Sequence, residues 1–118
     1  MNSWFEVNSI DSNHTAAQKI RLIQERFKET KKWVLVITND QSAGINLPSF
    51  EQATSKILRV HANKVSVKSH NITNTLLKGN CSAVVLCDAS LSESEVLSIE
   101  KSANEGKTLC VLMQSKTH

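Results

Sequence analysis

Gly106-Lys107-Thr108 is the one short run in this chain whose residue types could hold a phosphate. Phosphate-binding loops spell G-x-x-x-x-G-K-[ST], and the first glycine of that pattern would stand at position 101, which is Lys101. The loop also needs a strand before it and a helix after it, so that the helix's first amides face the anion. Here the periodicity predicts a helix before the triplet and a strand after it. The glycines, Gly44, Gly79 and Gly106, are too few and too scattered for a dinucleotide fingerprint, and no G-x-S-x-G elbow is spelled. Four histidines (His14, His61, His70, His118) stand in loops, strand ends and termini, away from any Ser, Cys or Asp arranged as a triad. Cys81, Cys87 and Cys110 form no C-x-x-C pair, and with His61 and His70 they are too dispersed for a zinc site. Asp88 closes an apolar run, at the strand end where α/β sheets bind ligands, but with no phosphate loop beside it a turn role is equally served. The sequence thus predicts a binding protein without a catalytic centre, metal or cofactor.

The elements that would carry these residues alternate. Thr15 with Gln18 has the capping-box pattern and opens a predicted helix to about Glu29, with Ala16, Ile20, Ile23 and Phe27 on one face. A strand at Lys32–Thr38, a polar loop at Asn39–Asn46 and a short helix after Pro48, capped by Ser49 with Gln52, come next. Then follow a strand at Ile57–His61, a helix at Asn71–Lys78 closed by Gly79, and a strand at Ser82–Asp88. Ser92 with Glu95, flanked by Leu91 and Val96, has both the capping box and the hydrophobic staple of a helix start. That helix ends at Gly106, and Thr108–Met113 is the last strand. Continuous apolar strands alternating with helices imply a mainly parallel sheet, four-stranded or slightly larger, covered by helices on both faces. Residues 15–113 form one domain, with 1–14 and 114–118 expected to be loose ends.

Composition narrows the partners. The apolar fraction of 40% over 118 residues supports a folded core. No apolar run approaches the roughly 20 residues of a membrane span, and the first residues lack a secretion signal, so a cytoplasmic protein with reduced thiols is expected. Lys and Arg outnumber Asp and Glu by 11 to 6 over residues 1–80, whereas acids lead by 5 to 3 over 81–118. The basic cluster Lys28, Lys31 and Lys32 could steer an acidic partner or be a solvated face. Nucleic acid is not expected, because aromatics are 4% and a stacking platform is poorly supplied.

Two blocks carry a family resemblance. Leu76–Met113, with Gly79-Asn80-x-Ser82-x-Val84-Val85 and then Ala103-Asn104-Glu105-Gly106 before an apolar strand, resembles the corresponding block of the SulA family of SOS-induced cell division inhibitors. Lys32-Trp33-x-Leu35 is similar to that family's basic-Trp-x-Leu strand start, and the two blocks stand in the family's order over about residues 16–113. The resemblance implies a three-layer RecA-like α/β fold that has lost the phosphate loop. It also implies that the chain binds FtsZ on the face that would receive the next protofilament subunit, stopping polymerisation and GTP hydrolysis together. Lys32, Ile37, Phe50 and Lys56 match positions important for inhibition, and the loop ending at Leu47 is expected to contribute. Ile37 and Phe50 would serve equally well as core residues, and Lys32 and Lys56 as solvated charges. In this family Lon protease removes the inhibitor through a tail ending in histidine, which His118 matches. A homodimer through the partner-binding face is a further expectation. Two other readings fit the composition: an accessory protein of SOS mutagenesis, the ImuA type, binding repair proteins or single-stranded DNA, and a small nucleotide-binding enzyme.

Overall fold

The computed structural model describes residues 3–30, 32–38, 57–61 and 68–115. The chain runs β1 (Phe5–Ile10), α1 (Asn13–Arg26), β2 (Trp33–Thr38), β3 (Ile57–His61), α2 (Ser69–Lys78), β4 (Cys81–Cys87), α3 (Glu93–Gly106), β5 (Leu109–Ser115). The strands form one five-stranded sheet in the order β1-β5-β4-β2-β3. Every pairing is parallel. The chain moves outward from β1 to β2 and β3, then returns through β4 to β5. Right-handed crossovers place helices of the outward and return paths on opposite faces. Accordingly α1 covers Val34, Val36, Ala83, Val85 and Val111 on one face. Helices α2 and α3 cover Ile37, Val84, Leu86, Cys110 and Leu112 on the other. The result is the three-layer α/β architecture that the alternating pattern predicts.

Burial follows position in the sheet. From Ser82 to Cys87, β4 is buried at every residue, because neighbours pair on both sides and helices lie on both faces. Cys87 and Cys110 are buried free thiols, each pushed up to about 12, chiefly by loss of water around the thiolate. They stay protonated and pack as small apolar groups.

Two local expectations are corrected. The first residues are not a loose end: Phe5–Ile10 is a strand at the edge of the described sheet whose Phe5, Val7 and Ile10 pair with Cys110, Leu112 and Ser115. Its polar positions hid it, since Glu6, Asn8 and Ser9 leave no clear apolar face. Tertiary contacts supply what propensity lacks. The Trp4 amide donates to Asn104 Oδ1 at 2.9 Å, the Cys110 amide donates to the Trp4 carbonyl at 2.7 Å, and Lys19 Nζ lies 3.5 Å from Glu6 Oε2. Second, the cap of α1 lies three residues before the expected Thr15. Ser12 is the N-cap and its hydroxyl accepts from the Thr15 amide at 3.2 Å, so Thr15 is itself inside the first turn. As expected, α3 ends at Gly106, and the left-handed residue that follows it is Lys107, with φ 50°. The short helix expected after Pro48 lies outside the described residues.

Gly106 is required by space. A β-carbon there would fall onto the Leu76 carbonyl oxygen and within 2.8 Å of its carbon, so the C-terminal turns of α2 and α3 meet backbone to backbone. Thr108 secures the same joint, its hydroxyl donating to the Leu76 carbonyl at 3.1 Å in a buried setting. Gly79 serves differently. It takes φ 67° to end α2, a conformation that costs other L-residues about 1 kcal/mol or more.

Candidate partner-binding surface

Both described members of the residue set that the family resemblance selects stand at β2, one just before it and one within it, and the strand holds them apart. Lys32 is exposed just before the strand, at the amino edge of the sheet. Its ammonium lies near the Cys81 thiol at the start of β4: burial raises that thiol's pKa, and the Lys32 charge partly opposes the rise. Ile37 lies five residues on, roughly 16 Å along an extended strand. It is 7% exposed and belongs to the core cluster with Ile72, Leu76 and Leu86. Of the two roles open to it in the sequence, the structure places it in the core position beneath the helical layer. Leu47, Phe50, Lys56 and His118 lie outside the described residues.

Strand β3 adds two residues that sequence reasoning passed over. Among the described residues it is the edge of the sheet beyond β2, and Leu58 and Arg59 are both exposed on it. Register pairs Leu35 with Leu58 and Val36 with Arg59. Leu58, 48% exposed, therefore shares a face with the partly buried Leu35 and Val60, whereas Arg59 points to the α1 side. There Arg59 Nε donates to the buried Thr38 hydroxyl at 3.4 Å. A signal was present: a lone cation in the middle of the otherwise apolar run Ile57–Val60 marks an edge strand rather than a central one.

The carboxyl edge of the sheet gathers Thr38, Arg59, Cys87 and Asp88. Asp88 has φ 54° and its amide donates to the Met113 carbonyl at 2.8 Å, which turns the chain out of β4. After burial, the largest cause, its carboxylate adds to the upward shift of the Cys87 thiol, and Arg59 opposes it. This edge lies at the switch between outward-going β2 and returning β4, but its thiol is held protonated and its aspartate serves a turn. At the other end of the sheet, Gly106-Lys107-Thr108 stands at a helix C-terminus, among carbonyl ends, with the Thr108 hydroxyl engaged by Leu76. That geometry is the reverse of a phosphate cradle. Among the described residues, the exposed groups here are the Lys32 cation at the amino edge and, on opposite faces of β3 at the sheet's margin, Leu58 and the Arg59 guanidinium.

The fold is that of a three-layer α/β protein with a five-stranded parallel sheet, in which Gly106-Lys107-Thr108 belongs to the joint between α2 and α3. A structural neighbour has the same architecture from end to end. The chain superposes on the crystal structure of SulA from Pseudomonas aeruginosa with a TM-score of 0.61 and 17% identity, over 95% of this chain and 98% of that one. At that identity the likeness establishes the fold. No protein-family model matches the chain, and no curated protein sequence does. Among the described residues no helix is long and apolar enough to cross a membrane.

Proposed function

We propose that this protein is a SulA-type inhibitor of cell division, acting in the SOS response by binding FtsZ rather than by catalysis. The observation that carries the reading is the end-to-end structural likeness to SulA. It is supported by the residue blocks around Lys32-Trp33 and Leu76–Met113, whose resemblance to the family lies in the order and type of their residues. FtsZ completes its GTP-hydrolysing site between subunits, so an inhibitor seated on the joining face stops assembly and hydrolysis at once. Lys32, Lys56 and Arg59 supply positive charge for an acidic partner face, with Leu47, Phe50 and Leu58 as apolar anchors. Ile37 holds β2 against the helical layer and acts through that support. Turnover by Lon through the tail ending in His118 belongs to the same proposal, as does a cytoplasmic site of action.

The test is to mix the purified protein with FtsZ and GTP from the same organism and follow light scattering and phosphate release. Inhibition of both, saturating near one inhibitor per FtsZ subunit, is expected. Lys32→Glu should weaken it by about tenfold with an unchanged melting curve, since the side chain is exposed. Normal filament assembly at excess protein would overturn the proposal, and salt-dependent binding of single-stranded DNA in its place would favour the ImuA-type alternative.

A further inference from the structure

The margin between α3 and β1 forms a second surface, opposite in sign to the first and independent of the FtsZ reading. Helical spacing places Glu93, Val96, Leu97 and Glu100 on one side of α3. Asn104 continues that side and accepts the Trp4 amide, which fixes it as the side bordering β1. Leu91, Glu93, Val96 and Leu97 line an open depression of about 330 Å³. Leu91 and Val96 reach the core cluster from its floor, whereas Leu97 stands 65% exposed at its lip. Val7 of β1, 57% exposed, points to the same face as Phe5, which packs beneath the helical layer. Glu93 and Glu100 bracket the apolar residues, and Lys101 falls on the opposite flank of Leu97. In a chain of net charge +3, this is a local acidic site with an apolar centre. Beside it, β1 is a sheet edge, paired with β5 alone among the described residues.

We infer that this groove docks a basic, extended segment of a partner protein. One apolar side chain of the segment enters the depression between Val96 and Leu97, and lysine or arginine side chains two residues to either side, on the same face of the strand, meet Glu93 and Glu100. Its backbone lies along β1 beyond Phe5, where the edge, open among the described residues, offers amides and carbonyls to an added strand. Charge complementarity selects the occupant: a second copy would have to bring a net-positive extended segment of its own and would self-associate without help.

The probe is a fluorescein-labelled, end-capped nonapeptide with a central leucine, lysines two residues to either side of it and serine or threonine at the intervening positions, titrated against the full chain by anisotropy, with its glutamate-for-lysine counterpart as control. The lysine peptide should bind saturably and the glutamate peptide should not. Glu100→Lys alone should weaken binding by about fivefold, and Glu93→Lys with Glu100→Lys by more than about tenfold. Leu97→Ser should weaken it through the lost apolar contact, whereas Glu105→Lys, on the far side of α3, should leave it unchanged. Equal binding of both peptides, no binding of the lysine peptide, or equal losses from Glu105→Lys and Glu100→Lys would overturn the inference. So would sedimentation showing that the chain alone forms dimers which Leu97→Ser dissolves, because the occupant would then be a second copy.

Discussion

Helices α2 and α3 lie side by side on one face of the sheet, and each has one well-made end. Helix α2 begins at Lys68, which makes no side-chain cap, and finishes on Gly79 in the left-handed conformation that ends a helix cleanly. Helix α3 begins with a complete capping box: the Ser92 hydroxyl accepts from the Glu95 amide at 3.2 Å, and the Ser92 amide donates to Glu95 Oε1 at 3.0 Å. It finishes on Lys107, a residue poorly suited to φ 50°. The difference arises because Gly106 is needed one position earlier, where a side chain would collide with the Leu76 backbone. Two glycines at two helix ends therefore answer different demands, one conformational and one steric. Close approach takes precedence at α3, and the neighbouring residue adopts the left-handed turn in its place.

Substitutions can break this contrast. Gly106→Ala should have the largest effect, since backbone cannot yield as a side-chain tip can. Separating α2 from α3 should cost about 3 kcal/mol or more in urea denaturation, and a loss below about 1 kcal/mol would show that the joint is not tight. Gly79→Ala should cost about 1 kcal/mol, the conformational penalty alone. Ser92→Ala should cost a similar amount, about 1 kcal/mol, by removing the cap.

The remaining substitutions sharpen the comparison from the weaker ends. Lys68→Asp should stabilise α2 by roughly 0.5–1 kcal/mol, by adding the missing cap and removing a cation from a helix N-terminus. Lys107→Gly should stabilise α3 by a few tenths to about 1 kcal/mol, the mirror of Gly79→Ala. The smallest effect is a pH dependence at Glu95, whose carboxyl is held below its ordinary value chiefly by the Ser92 amide, with the Ser69 and Ser92 side chains adding to it. A depressed carboxyl pKa stabilises the fold above the unfolded value and loses that contribution as pH falls through the folded one. The stability advantage of the native chain over Glu95→Gln should therefore shrink as acidity increases below about pH 4, monitored by thermal melting at stepped pH.

How far the surface can be derived from the sequence differs from one part to the next. The resemblance block selects Lys32 by its place before Trp33, and the structure leaves it exposed at the sheet edge. Ile37 belongs to the same apolar strand, and alternation alone cannot say whether its face is covered; the position of α2 and α3 settles that it is. Arg59 carries a weak sequence signal, a lone cation in an apolar run, whereas the exposure of Leu58 follows only from the place of β3 at the edge of the described strands. The acidic groove is further still from the sequence, because it needs α3 and β1, almost 90 positions apart in the chain, to be neighbours.

Local chemistry by itself determined most of the scaffold. Apolar runs of strand length, the Ser92–Glu95 box and Gly79 are short-range signals, and each marks a boundary through forces acting within a few residues. Tertiary structure alone decided the order of the strands, the recruitment of Phe5–Ile10 as an edge strand and the purpose of Gly106. Those depend on which surfaces meet: an amphipathic pattern says that a face must be covered, and only the folded chain says by what.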